Sequence, residues 1–166
     1  MNAKDVIKTT LTSTQTLVQQ YLSDLSDLSD EDLRVHPVPA ANNIAWQLGH
    51  LIASEAMLGG MVPGATYPAL PDSLKSQLDG KAAKTPPPGG YLTKTEYLDW
   101  FNKVRKATIT NVERLSDADL DRATPADWAK WAPTIGALLV LTANHTLMHA
   151  GQFTVARRAL NKPVLF

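Results

Sequence analysis

Cysteine is absent from this 166-residue chain. That removes disulfides, iron–sulfur clusters, thiolate metal sites and a cysteine nucleophile together, so any metal must be held by His, Asp or Glu. Attachment of a c-type haem is excluded with it. Net charge is absent too: 16 Lys and Arg balance 16 Asp and Glu. The pI near 6.9 leaves no basic footprint for nucleic acid and no polybasic patch for an anionic membrane. Charged residues make up only 19% of the chain, under the roughly 25% of ordinary soluble domains. Some helices are therefore expected to be buried on most of their surface. The longest apolar run, Ile135 to Leu141, falls far short of the ~20 residues of a membrane span. Met1-Asn2-Ala3-Lys4-Asp5 leads into an amphipathic pattern instead of a signal-peptide core, so a cytoplasmic protein is expected. Phosphate-binding glycine loops, dinucleotide fingerprints, the Glu-x-x-His pairs of di-iron bundles and a serine-nucleophile motif are all missing.

What is present has the helical period. Ile7, Leu11, Thr14, Val18, Tyr21 and Leu25 follow at spacings of three and four, which predicts a first helix from about Lys4 to Tyr21. A second is predicted over about Asn42 to Gly59. A third, over about Thr93 to Leu115, opens with the capping-box pattern Thr93-x-x-Glu96. A fourth, over about Pro133 to Leu160, is the longest and most apolar, with Pro133 in its first turn. Strand alternation never persists. The expected fold is all-α, a single four-helix-bundle domain over residues 1–166. Six of nine glycines and six of eleven prolines lie between Gly59 and Tyr91. Such a stretch suits a long crossover, with the second and third helices parallel.

Leu28-Ser29-Asp30-Glu31-Asp32-Leu33 and Leu115-Ser116-Asp117-Ala118-Asp119-Leu120 share the pattern Leu-Ser-Asp-x-Asp-Leu. In each, Ser can cap a short helix with acids in its first turn. One reading is a common helix start. The other is two helix–loop–helix halves related by a pseudo-two-fold axis, which brings the second and fourth helices together.

There are four histidines, and three fall on polar stripes. His145 and His149 are one turn apart on the fourth helix, on one face, and the same stripe takes in Thr142 and Gln152. This is not the HExxH of zinc proteases, since Thr146 follows the first His. The second helix carries Asn43, Gln47, His50 and Ser54 in the same way, with Glu55 its only charge. Buried polar groups need partners, so the stripes should face each other or a shared ligand. Three imidazoles suit zinc with an open fourth position, or nickel or iron. Asn43, Gln47, Ser54, Thr142 or Gln152 could orient them or line a pocket. The alternative is a hydrogen-bonded core holding no ion. His36 lies in a proline-flanked loop and is a spare ligand or only a loop residue. Trp128 and Trp131 line a substrate mouth, cap the bundle or join a dimer contact. Arg157 and Arg158 complement a helix C-terminus.

Asn43-Ile44-Ala45-Trp46-Gln47-Leu48-Gly49-His50-Leu51 and His145-Thr146-Leu147-Met148-His149-Ala150-Gly151-Gln152 resemble the two metal motifs of the DinB-like (YfiT-related) superfamily. The resemblance runs the length of the chain in helix order. It implies an up-down-down-up bundle with a long second crossover. It implies His50, His145 and His149 as the metal triad, a divalent ion such as zinc or nickel, and a homodimer. Some relatives are thiol S-transferases or isomerases that use an exogenous low-molecular-weight thiol, and many others have no known reaction; the expectation is a metal-dependent thiol transferase first and a metal-dependent hydrolase second. A non-catalytic metal- or ligand-binding stress protein is the alternative. One departure stands out: Met148 and Ala150 flank His149 where members often carry Arg, which removes a cation for an anionic substrate.

Overall fold

The computed structural model describes residues 2–23, 27–80 and 85–165. Leu25 of the first apolar stripe lies outside them. Four long helices dominate: α1 Ala3–Leu22, α2 Ile44–Gly59, α3 Lys94–Arg114 and α4 Ile135–Ala159. Each begins where a side chain can take an orphan backbone N–H. Asn2 and Asp5 form a reciprocal box on α1, Thr93 and Glu96 do so on α3, and Asn43 and Thr134 cap α2 and α4. Pro133 is thus outside the last helix, contrary to expectation, because the Thr134 hydroxyl sets the start one residue beyond it. Among the described residues there is no strand, only a bridge between Ala123 and Thr134. None of the helices searched is long and apolar enough to cross a membrane.

Directions follow from cross-helix pairs. Lys8 meets Glu113 while Gln15 meets Asn102, so α1 and α3 are antiparallel. Gln47 meets His149 and His50 meets His145, so α2 and α4 are antiparallel. The Tyr21 hydroxyl pairs with Thr154, and Ile7 shares a cluster with Leu138 and Leu139, so α1 and α4 run together. The order is up-down-down-up, and α1 neighbours α3 as α2 neighbours α4. That is the pairing a two-fold between halves produces. The repeat reports the same symmetry. Ser29 with Asp32, and Ser116 with Asp119, form matching reciprocal boxes at the short turns Asp32–Arg34 and Asp117–Leu120.

The core has two parts. One gathers Tyr21, Leu48, Phe101 and Phe153; the other gathers Ile7, Leu58, Val112 and Leu139. Between them lies a buried ion pair, Arg105–Glu55, at 2.8 Å with side chains 0% and 3% exposed. Burying charges requires that every donor be matched. Arg105 reaches both Glu55 oxygens, the Leu11 carbonyl, and the Thr14 and Thr146 hydroxyls, and Thr108 donates to Glu55. This one network touches all four long helices. The crossover is fastened by Gln77, in the turn Ser76–Leu78. Its amide donates to the Ala45 and Trp46 carbonyls and accepts from the Tyr97 hydroxyl. Gly49 makes room for it: a Cβ there would sit 2.0 Å from Gln77 Oε1.

Candidate metal centre

The antiparallel contact of α2 and α4 brings His50, His145 and His149 together. Their ring centroids are 5.2 Å (His50–His145), 5.5 Å (His50–His149) and 4.8 Å (His145–His149) apart. One ligand atom from each lies within 4.8 Å of the others. The Nε2 atoms of His145 and His149 are 3.1 Å apart. Two nitrogens on a tetrahedral zinc at about 2.0–2.1 Å would stand roughly 3.3 Å apart. That pair is already at metal spacing.

Two contacts fix which nitrogen each ring presents. The Gln47 amide N–H donates to the Asn42 carbonyl at 2.9 Å, which turns Oε1 toward His149. His149 Nδ1–H donates to that oxygen at 2.9 Å, so a neutral ring carries its lone pair on Nε2. His50 Nδ1–H donates to the Gln77 carbonyl at 3.1 Å, again leaving Nε2 for the centre. Trp46 stacks on His50 at 4.7 Å and 12° and holds its plane. Such outer partners are what ligand imidazoles need.

Burial favours the neutral, ligating form of all three rings. Desolvation, with the neighbouring imidazoles adding to it, pushes His149 down to about 3. Desolvation and the field of His50 push His145 down to about 4. His50 is also lowered by burial, against the opposing pull of its bond to Gln77. The donor set therefore fits a divalent ion: three neutral imidazoles, two with their outer nitrogens committed, and no competing thiolate. When His145 and His149 hold no ion, one Nε2 must donate to the other; an ion would take both lone pairs.

A cavity of about 440 Å³ opens on the centre. His50, Ser54 and His145 form its floor, and Met57, Leu58, Leu78, Leu141, Trp128 and Trp131 its walls. The Ser54 hydroxyl stands 3.5 Å from His50 Nε2. Both tryptophans thus border the mouth, one of the readings the sequence left open.

The remaining stripe residues lie elsewhere. Asn43 caps α2 and donates to His36 Nε2 and the Tyr91 hydroxyl at 3.3 Å, beside a separate cleft of about 570 Å³. His36 Nδ1 pairs with the Ala41 carbonyl, and His36 is not among the three clustered rings. Thr142 is buried, its hydroxyl bonded to the Leu138 carbonyl one turn back. Gln152 is exposed. Arg157 does more than face a helix end: it is 1% exposed and forks onto Asp27. Sequence reasoning missed Gln77, which lies in the crossover where no periodicity marks it. It also missed Arg105, whose partner Glu55 was visible as the one charge on an apolar helix.

The structure is similar to that of a conserved protein from Enterococcus faecalis, with TM-score 0.69 and 14% identity over 98% of this chain and 99% of that one. It is also similar to YfiT from Bacillus subtilis, described as "a probable metal-dependent hydrolase with an unusual four-helix bundle topology". There the TM-score is 0.67 and the identity 16%, over 96% of this chain and 89% of that one. At these identities the likeness is one of fold. Among curated proteins nothing matches. The DinB superfamily model matches residues 10–153. The chain belongs to the DinB superfamily.

Proposed function

We propose that this protein is a divalent-metal-dependent enzyme in which His50, His145 and His149 hold zinc or nickel and an external low-molecular-weight thiol is the nucleophile. The observation that carries the reading is the converging triad, two of whose rings, His50 and His145, line an apolar cavity, with His149 and His50 pre-set by Gln47 and the Gln77 carbonyl. When bound, the ion would supply Lewis-acid chemistry, lowering the pKa of a thiol or water so that a nucleophile exists near pH 7. The chain's own residues position and exclude. The side chains of Gln47 and Trp46 keep His149 and His50 from turning. The apolar walls keep bulk water from the reacting groups. Ser54 can donate one hydrogen bond at the floor.

A thiol suits this site because no carboxylate is among the described residues that line the cavity, and nearby Glu55 is held by Arg105 and Thr108. A coordinated thiol loses its proton without one. Hydrolysis is the second reading, favoured by the fold shared with YfiT, itself described as a probable metal-dependent hydrolase. A thiol co-substrate stays reduced in the cytoplasm, and the reading places the protein there. The working unit is proposed to be a homodimer. Leu147, Gly151 and Val155 stand one turn apart on the exposed, uncharged outer face of α4, with open space above Gly151 for a second helix.

The test is turnover of an aromatic electrophile with a panel of thiols, using metal-loaded and chelator-stripped protein. Thiol consumption that needs the ion supports the reading. Equal rates in the stripped protein would remove it.

A further inference from the structure

The metal reading leaves open what enters the cavity, and the walls constrain it. Among the described residues, six of the nine lining side chains are hydrocarbon, thioether or indole, and the other three are the floor residues His50, Ser54 and His145. None of the described lining side chains carries a permanent charge. Charged residues stand beside both tryptophans in sequence. Asp127 and Lys130 are both exposed and opposite in sign, and the Lys130 ammonium lies over the Trp131 ring at 5.7 Å. Arg105, the buried cation nearest the triad, has its donors taken by Glu55, Leu11, Thr14 and Thr146 on the other three long helices. Away from the metal position, a carboxylate or phosphate held against these walls would lose its water with nothing among the described lining residues to replace it. An uncharged ring or branched chain would lose nothing and would bury its surface against two indoles. Trp131 is 69% exposed, a large apolar face left at a mouth where a ligand could cover it.

Resting on the triad reading above, we propose that the cavity selects an uncharged apolar substrate group, with Trp128 and Trp131 as its specificity-determining walls. The volume, about 440 Å³, is in the range of small-molecule sites. The class of substrate is thus a small electrophile with a neutral aromatic or branched aliphatic tail, and a tail that carries an anionic group is disfavoured.

Two arms test this. In the first, metal-free protein is titrated with 2-phenylethanol and with 3-hydroxypropionate while the indole N–H NMR signals are followed, assigned with W128A and W131A. The alcohol should move the Trp128 and Trp131 signals and the carboxylate should leave them in place. In the second, zinc-loaded protein is titrated calorimetrically with 2-phenylethanethiol and 3-mercaptopropionate, which share a head and differ in the tail. The aromatic thiol should bind at least tenfold tighter, and W128A/W131A should remove most of that ratio while keeping the zinc. Equal binding, tighter binding of the carboxylate, or a ratio unchanged in W128A/W131A would overturn the proposal. If the protein takes up no zinc, the metal reading fails and the first arm decides the cavity alone: shifts of both indoles sustain it and their absence ends it.

Discussion

Gln47 shows what a single side chain contributes here. Its amide is fixed at one end by the Asn42 carbonyl, and so presents an acceptor to His149 at the other. Gln47→Leu keeps the bulk and removes the acceptor, so the ring is free to turn and to change tautomer. Loss of such an orienting partner typically weakens metal binding by about 10–100-fold. Zinc affinity by competition with a chromophoric chelator should fall by that order while the fold, by circular dichroism, is retained. An unchanged affinity would show that His149 needs no help. At this scale the sequence was partly legible. Spacings of three and four put Gln47, His50, His145 and His149 on facing stripes, and they do meet. The same spacing grouped Asn43 and Gln152 with them, because periodicity gives an angle round a helix and not a depth. Asn43 has extended backbone, φ −71° and ψ 162°, and caps the helix instead of lining its face. Gln152 lies beyond the level where Gln47 and His149 meet, and there the stripe comes out to solvent. Gln77 could not be read at all, since its role depends on the crossover folding back over Gly49.

The helices themselves were legible from apolar period and caps, and their mutual order from the repeat and the proline-rich crossover. The glue between them was not, because a buried pair looks in sequence like any two surface charges. Arg105–Glu55 joins all four long helices one turn from the triad, through Thr146 beside His145. Arg105→Met strands the Glu55 carboxylate in the core and should cost about 3–5 kcal/mol in urea denaturation. Adding Glu55→Leu should recover much of the loss, because two apolar groups leave no orphan charge. No recovery would mean that the pair acts chiefly through its hydroxyl partners. A second tie, Asp27–Arg157, fastens the end of α4 to the segment after α1. The hydrogen bond from Arg157 holds the Asp27 carboxyl below 3.8. A depressed acid stabilises the fold above its unfolded pKa and loses that contribution as pH falls through the folded one. Stability of the wild type should therefore decline from about pH 4 downward, and Asp27→Asn should flatten that limb while lowering stability at pH 7. Parallel acid limbs in the two proteins would assign the decline to other carboxylates.

At the scale of the molecule, two helical halves are joined so that each supplies one helix of the histidine cluster. The repeat of six residues corresponds to paired reciprocal boxes at Ser29 and Ser116, one in each half. The same helix that carries two histidines inward leaves Leu147, Met148 and Val155 exposed outward, at 54%, 55% and 48%. Light scattering should give a dimer, and Leu147→Glu with Val155→Glu should give a folded monomer, since like charges would meet across a two-fold contact. A wild type that is monomeric at all concentrations would rule the contact out.

The most direct test of the whole account is metal stoichiometry by elemental analysis of protein prepared without chelator, beside His145→Ala, which removes a half-buried ligand and little packing. The account predicts about one divalent ion per chain in the wild type and a near-complete loss in the variant, with both proteins folded. A wild type that is metal-free and fails to take up added zinc or nickel, or a variant that keeps its ion, would contradict it.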